Sequence, residues 1–210
     1  MPRYLAGLVL SGVSLFYFNK ICSFDRNIML LLVVYIFCVL VTCAIGAWAA
    51  YSDFKGMVIP NPLVVTVMVL FFVAFGAAHF AGAEGVFFSL QIHLMSALVT
   101  FILTFILFAT KVFGAGDAKL ITAFSFWFGL KYLTAFLFYV AFLGGILGCI
   151  ALVIKKKKPF SDAPKGSWIA RLQAGEAIVP YGIAISLGAV FTFVRAGYIS
   201  PSTMTQFLGG

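Results

Sequence analysis

Residues 90 to 119 read LQIHLMSALVTFILTFILFATKVFGAGDAK, and the two parts of that string decide the fold. Leu90 to Phe113 is a mostly apolar run of the length, about 20 residues, that a helix needs to cross the hydrocarbon core of a bilayer. Gly114-Ala115-Gly116-Asp117 then ends the run with turn chemistry and a carboxylate. Similar runs recur along the 210-residue chain, near residues 4–18, 28–50, 62–82, 118–130, 132–154 and 177–195. With 63% apolar residues, 10% charged residues and a mean hydropathy of +1.13, the chain exceeds what a soluble domain carries. The expectation is an all-α fold, a polytopic transmembrane helix bundle with six main spans plus a short N-terminal apolar segment. Residues 1–27 are expected to form that short span or interfacial segment, and residues 28–210 a membrane-embedded domain. Cys22, Cys38, Cys43 and Cys149 form no C-x-x-C pair, and the last three lie in apolar runs, which favours packing over disulfides or zinc.

The run 118–130 is short and joins the next through Gly129 and Lys131, which implies a tight hairpin or a partly re-entrant helix. If the spans alternate, Lys55, Lys111, Lys119, Lys155 to Lys158, Lys165 and Arg171 fall on one side of the membrane. The other side receives His79, Glu84, His93, Lys131 and the tail after Arg195. Short loops rich in lysine and arginine stay in the cytoplasm, so the first side is expected to be the cytoplasmic face of the inner membrane. The formal charge of +8 has the same origin: a basic loop beside anionic lipid, rather than a nucleic-acid patch.

Two of the six acidic residues need a reason for lying next to hydrocarbon. Asp53 sits in Tyr51-Ser-Asp-Phe-Lys-Gly-Met-Val-Ile-Pro-Asn61, at the end of one run, and Asp117 follows another. An ionised side chain at membrane depth costs several kcal/mol, so such acids point to function. One outward and one inward crossing separate them, which returns both to the same membrane edge. Gly114 and Gly116 let the backbone turn and let another chain come close. Pro60 is expected to stop a helix continuing from Asp53 and to restart the chain into the next span. Two neighbouring carboxylates can hold one proton between them, leaving one to activate water and one to protonate a scissile carbonyl. The plainer roles are Asp117 as a helix cap and Asp53 as an ion-pair partner of Lys55.

The ordered set of Asp53, Ile59-Pro60-Asn61, Gly114 to Leu120 and Val179-Pro180-Tyr181-Gly182 resembles the motifs of the prepilin peptidases, which are GxGD-type intramembrane aspartyl proteases. The resemblance runs from about residue 28 to the last span. It implies that Asp53 and Asp117 are catalytic, and that Gly114, Gly116, Lys119, Pro60, Asn61, Pro180, Tyr181 and Gly182 support the site or bind substrate. It also implies a partner, a type IV prepilin or pseudopilin whose basic leader is removed at the cytoplasmic face, with membrane lipid around it and no cofactor, metal or nucleic acid. Longer members carry an insertion with two C-x-x-C pairs that is associated with N-methylation. Its absence here implies cleavage without methylation. The compact form resembles the peptidases of tight-adherence, Flp-type pili, and also archaeal preflagellin peptidases.

Two other readings compete. A small proton- or cation-coupled transporter would use the acids as carriers, but such acids tend to lie near mid-span, and no inverted repeat is visible. A non-catalytic scaffold would use them as caps and tolerate Asp→Asn exchanges. Lys119, two residues after Asp117, either tunes that acid, contacts a substrate carbonyl or snorkels to the interface. His79 and His93, with only Glu84 between them, lack a metal-site spacing and are expected in loops.

Overall fold

The computed structural model describes residues 2–160, 167–176 and 178–208, with side chains from Arg26 onward. Its described residues form seven helices and no strand: α1 (Pro2–Gly56), α2 (Asn61–Phe80), α3 (Leu90–Ala109), α4 (Ala115–Lys157), α5 (Trp168–Gln173), α6 (Tyr181–Ala196) and α7 (Pro201–Phe207). Lys165 lies outside the described residues. The runs at 4–18 and 28–50 fall in one helix, because the polar stretch 19–27 between them contains neither Gly nor Pro to break it. By length and apolarity, four helices can cross a membrane, α2, α3, α4 and the Arg26–Gly56 part of α1. The pair α6 and α7, bent by 65°, would make a fifth among the described residues, in a count that takes α4 as one helix.

The bundle is apolar outside and partly polar inside, as lipid solvent requires. On α3 the buried positions are His93, Ser96, Ala97, Thr100 and Thr104, a helical stripe of mostly polar residues. Its outer side exposes Leu98, Val99, Phe101, Ile102, Phe105 and Ile106. That stripe faces α4, and its hydroxyls are spent within the helix pair. Ser96 Oγ donates to the Ser125 carbonyl at 3.0 Å, Thr100 Oγ1 to Ser96 at 2.8 Å and Thr104 Oγ1 to Thr100 at 2.9 Å. Small hydroxyl residues let two helices approach closely where lipid gives no hydrophobic drive for association.

The long helix α4 is two arms. Gly129 interrupts it with φ 54° and ψ 177°, a left-handed conformation that glycine adopts without a Cβ clash. In an unbroken helix Phe124 and Phe136 would stand about 18 Å apart along the axis, and Phe128 and Phe136 about 12 Å. Their ring centroids are instead 6.3 Å and 4.9 Å apart, so the chain turns back on itself at Gly129. This is the hairpin expected from the sequence. The first arm, residues 115–128, becomes the centre of the bundle. Leu120, Trp127 and Phe128 have no exposed surface, and Trp127 Nε1 donates to the Val67 carbonyl of α2 at 3.1 Å. The second arm packs along α6, where a Cβ on Gly188 would lie 3.1 Å from the backbone nitrogen of Val140. α1 closes the other side of α6, with Ser186 Oγ donating to the Gly46 carbonyl at 2.6 Å.

A helix end buried in this way exposes carbonyls that have lost their helical partners, and in a membrane interior water is not there to take over. Three consecutive carbonyls before Gly129 are met by side chains from elsewhere. Ser125 accepts from Ser96, Phe126 from His93 Nδ1 at 2.6 Å, and Trp127 from the Tyr198 hydroxyl. Tyr198 is itself fixed by Tyr35 of α1, whose hydroxyl donates to the Tyr198 carbonyl at 2.9 Å. His93 is therefore no loop residue. It is fully buried on α3 among Phe71, Phe87 and Phe126, holding the end of the hairpin, while His79 sits in the last turn of α2. Polar residues usually mark span ends, which is why the sequence suggests a loop; this one has a buried carbonyl to serve. Tyr198→Phe, which deletes only the hydroxyl, is expected to lower stability in detergent or bilayer by about 1–2 kcal/mol. Thermal unfolding of the purified chain measures it, and an unchanged midpoint would show that the carbonyl finds another donor.

Candidate active site

Three helix ends meet at the pole of the bundle opposite Gly129: the end of α1 and the starts of α4 and α6. α1 ends at Gly56, earlier than a stop at Pro60 would place it. Met57 takes φ 55°, and its amide donates to the Asp53 carbonyl at 2.8 Å. A left-handed methionine carries strain of about 1 kcal/mol or more, here held by the Ser52 hydroxyl on the Val58 carbonyl at 2.8 Å. Pro60 serves elsewhere. With φ −62° and ψ 133° it caps the start of α2, and Asn61 is that helix's first residue.

Asp53 lies in the last turn of α1 and is 5% exposed. Its Oδ2 accepts a 2.7 Å hydrogen bond from the amide of Gly182, the second residue of α6. The first amides of a helix lack intrahelical partners, and the dipole there favours negative charge, so the start of α6 is a natural seat for a carboxylate. Glycine is needed at that position because the two chains touch. A Cβ on residue 182 would lie 2.8 Å from Asp53 Cβ and 3.0 Å from Oδ2. The neighbours in the same string serve this contact. Pro180 caps α6, and Tyr181 packs against Phe113 with ring centroids 5.1 Å apart. Gly144 of the second arm leaves room for the Tyr181 ring, since a Cβ there would sit 2.6 Å from it.

Asp117 is the third residue of α4. Its carboxylate turns back over the helix start, with Oδ2 3.0 Å from the place a Cβ on Gly114 would take. This is the reach of a third-position acid to the cap residue, with glycine in the place of serine or threonine. Gly116 serves a different contact: its missing Cβ would lie 3.2 Å from Ile59 Cβ, so the α1–α2 connection crosses directly over the start of α4.

Asp53 and Asp117 line the same cavity, of about 280 Å³, together with Met57, Val58, Ile59, Asn61, Gly114 and Lys119. Lys119 does not pair with Asp117; its Nζ donates to Asn61 Oδ1 at 3.2 Å, fixing the rim of the cavity between α2 and α4. Lys55 forms no salt bridge with Asp53, and among the described residues the one ion pair is Arg171 with Glu176 at 2.7 Å, away from this cavity. Among the described residues no three His, Cys, Asp or Glu side chains form a metal-holding group.

The structure thus brings Asp53, Asp117, Gly114, Gly116, Lys119, Asn61 and Gly182 to one place, with Pro60, Pro180 and Tyr181 shaping the helix starts around it. One buried and one half-buried carboxylate beside a cavity of this size can share the handling of one water and one substrate carbonyl. A family model described as the type IV leader peptidase family matches residues 38–149, more than half of the chain. The matched segment holds both aspartates and ends in the second arm of α4, before α6. No curated protein and no solved structure matches.

Proposed function

The chain belongs to the type IV leader peptidase family, and from that premise we propose that it is an aspartic endopeptidase that removes the basic leader of Flp-type prepilins or pseudopilins, using Asp53 and Asp117. The observation that carries this reading is that the two acids, far apart in sequence, line one cavity, with Asp53 held by the Gly182 amide and Asp117 turned back over Gly114. In the proposed reaction the ionised carboxylate takes a proton from water as its oxygen attacks the scissile carbonyl carbon. The protonated partner gives its proton to the carbonyl oxygen, producing a tetrahedral diol. The first acid, now protonated, delivers its proton to the leaving nitrogen as the C–N bond breaks, while one diol hydroxyl returns its proton to the partner acid as the carbonyl re-forms. Each proton taken is thus returned, so no further nucleophile or cofactor is required.

We place the cavity at the cytoplasmic face of the inner membrane. Lys55, Lys111, Lys119, the run Lys155 to Lys158 and Arg171 lie toward this pole, and Lys131 and Arg195 toward the other, the asymmetry that short cytoplasmic loops carry. A prepilin leader, being basic, would meet two carboxylates there. The chain has no pair of C-x-x-C motifs, and we assign it cleavage without methylation. The transporter reading gains no support, because both acids sit within a turn of a helix end.

Cleavage by the chain alone tests the proposal. The purified protein in liposomes, given a full-length prepilin and a chelator, is expected to convert it to a shorter band whose new N-terminus follows the leader. A precursor that stays intact beside correctly folded protein overturns the reading.

A further inference from the structure

α2 and α3 meet through aromatic rings near their connecting loop, where Phe71 and Phe75 stand 5.1 and 6.1 Å from the His93 ring. Toward the pole that carries the two acids their backbones are not packed together, although each packs on α4. The two helices therefore stand apart over the first arm of α4, with a cavity of about 430 Å³ between them. Its walls are Val64 and Met68 of α2 and Phe101, Phe105 and Phe108 of α3, and its floor is the Ala115, Ala118, Lys119 and Thr122 face of α4. Two residues, Ala115 and Lys119, line both this groove and the cavity that holds Asp53 and Asp117. The groove thus adjoins the candidate active site.

We propose that this groove receives the apolar helix of the prepilin directly after the scissile bond. The inference rests on the peptidase reading above and assigns its substrate a place. The groove's chemistry selects the occupant. Its two hydroxyls are already committed, Thr104 to the Thr100 carbonyl at 2.9 Å and Thr122 to the Ala118 carbonyl at 2.8 Å. Away from Lys119 at the junction a guest finds no free side-chain donor, so along the groove it must satisfy its own backbone, which in a membrane means a helix. From Ala115 to Thr122 the floor spans about 10 Å, or two helical turns. Its alanines permit the close backbone approach that drives helix association in lipid. Lys119, tied to Asn61 at the junction, marks where the apolar helix stops and the extended cleavage segment begins.

The test uses the full chain in liposomes, with Asp117→Asn to keep a full-length prepilin uncleaved. A photo-crosslinking residue replaces Met68 or Phe105 in the groove, or Phe138 or Phe142 on the exposed side of the second arm of α4. Adducts are expected from positions 68 and 105, mapping to the first two turns after the scissile bond, and not from 138 and 142. Adducts to lipid alone, or equally from all four positions, overturn the groove assignment. Thr122→Trp, which fills the floor, is expected to raise KM for the prepilin about tenfold, with most of the loss in kcat/KM carried by KM. An unchanged KM also overturns it. Cleavage by the unsubstituted chain in the same liposomes separates the two ideas: with cleavage intact, failed crosslinking removes only the groove, whereas no cleavage removes the peptidase and the groove together.

Discussion

Asp117→Asn is expected to leave a coexpressed prepilin at its precursor size, and Asp53→Asn to do the same. Asparagine matches the shape of aspartate but can neither take a proton from water nor give one to a carbonyl. At position 53 the amide oxygen can still accept from the Gly182 amide, so the fold at this pole is kept and the loss is chemical. Positioned acid–base groups typically contribute 10² to 10⁴ in rate, and each exchange here should cost at least about 10³-fold. If the two acids act as one unit, as proposed, the double variant should be scarcely worse than either single one, the non-additivity expected of a shared mechanism. A gel shift reports leader removal, and immunoblotting of the membrane fraction reports abundance. Cleavage above about a tenth of the normal rate in either variant, at normal abundance, would sink the assignment of a catalytic pair. A scaffold would tolerate both exchanges.

Gly182→Ala has the second-largest expected effect, although it touches no proton. The new methyl group would lie 2.8 Å from Asp53 Cβ, closer than carbon atoms pack, so either α6 or the carboxylate must move. Asp53 would then lose its 2.7 Å anchor and its position opposite Asp117. Misplacement by about 1 Å can cost a hundredfold in rate, and that is the expected loss in kcat. Gly145→Ala on the second arm of α4 is the matched control: a methyl group there meets nothing within 4 Å, and activity should hold. If Gly182→Ala cleaves at the normal rate, the contact between α6 and α1 does not position the acid.

The bilayer makes much of the architecture legible in advance. Apolar runs of spanning length announce helices whatever their partners, and Gly129 beside a short run foretells the reversal. Alternation of the spans suffices to bring Asp53 and Asp117 to one pole. What escapes are contacts that no local pattern encodes. Lys119 stands next to Asp117 in sequence, yet its partner is Asn61, because a helix start points neighbouring side chains in different directions. Pro60 looks like the residue that ends α1, but Met57 does so three residues earlier through an unusual backbone conformation. His93 reads as a loop residue for want of the carbonyl it serves. Its spacing with Ser96, Thr100 and Thr104 does carry a signal, a polar stripe of helical period within an apolar run. In a membrane such a stripe faces protein.

The bond between the Gly182 amide and Asp53 spans 129 residues, and that distance has a meaning in time. A ribosome that has delivered α1 through α5 has already made both acids, but not the amide that seats the first of them, nor the Tyr198 hydroxyl that closes the far end of the central arm. If Asp53 and Asp117 are the catalytic pair proposed, the nascent chain enters the membrane with that pair not yet seated. Competence would then arrive with the last helices, and a chain that stalls before α6 is expected to be an inert fragment rather than an unregulated protease.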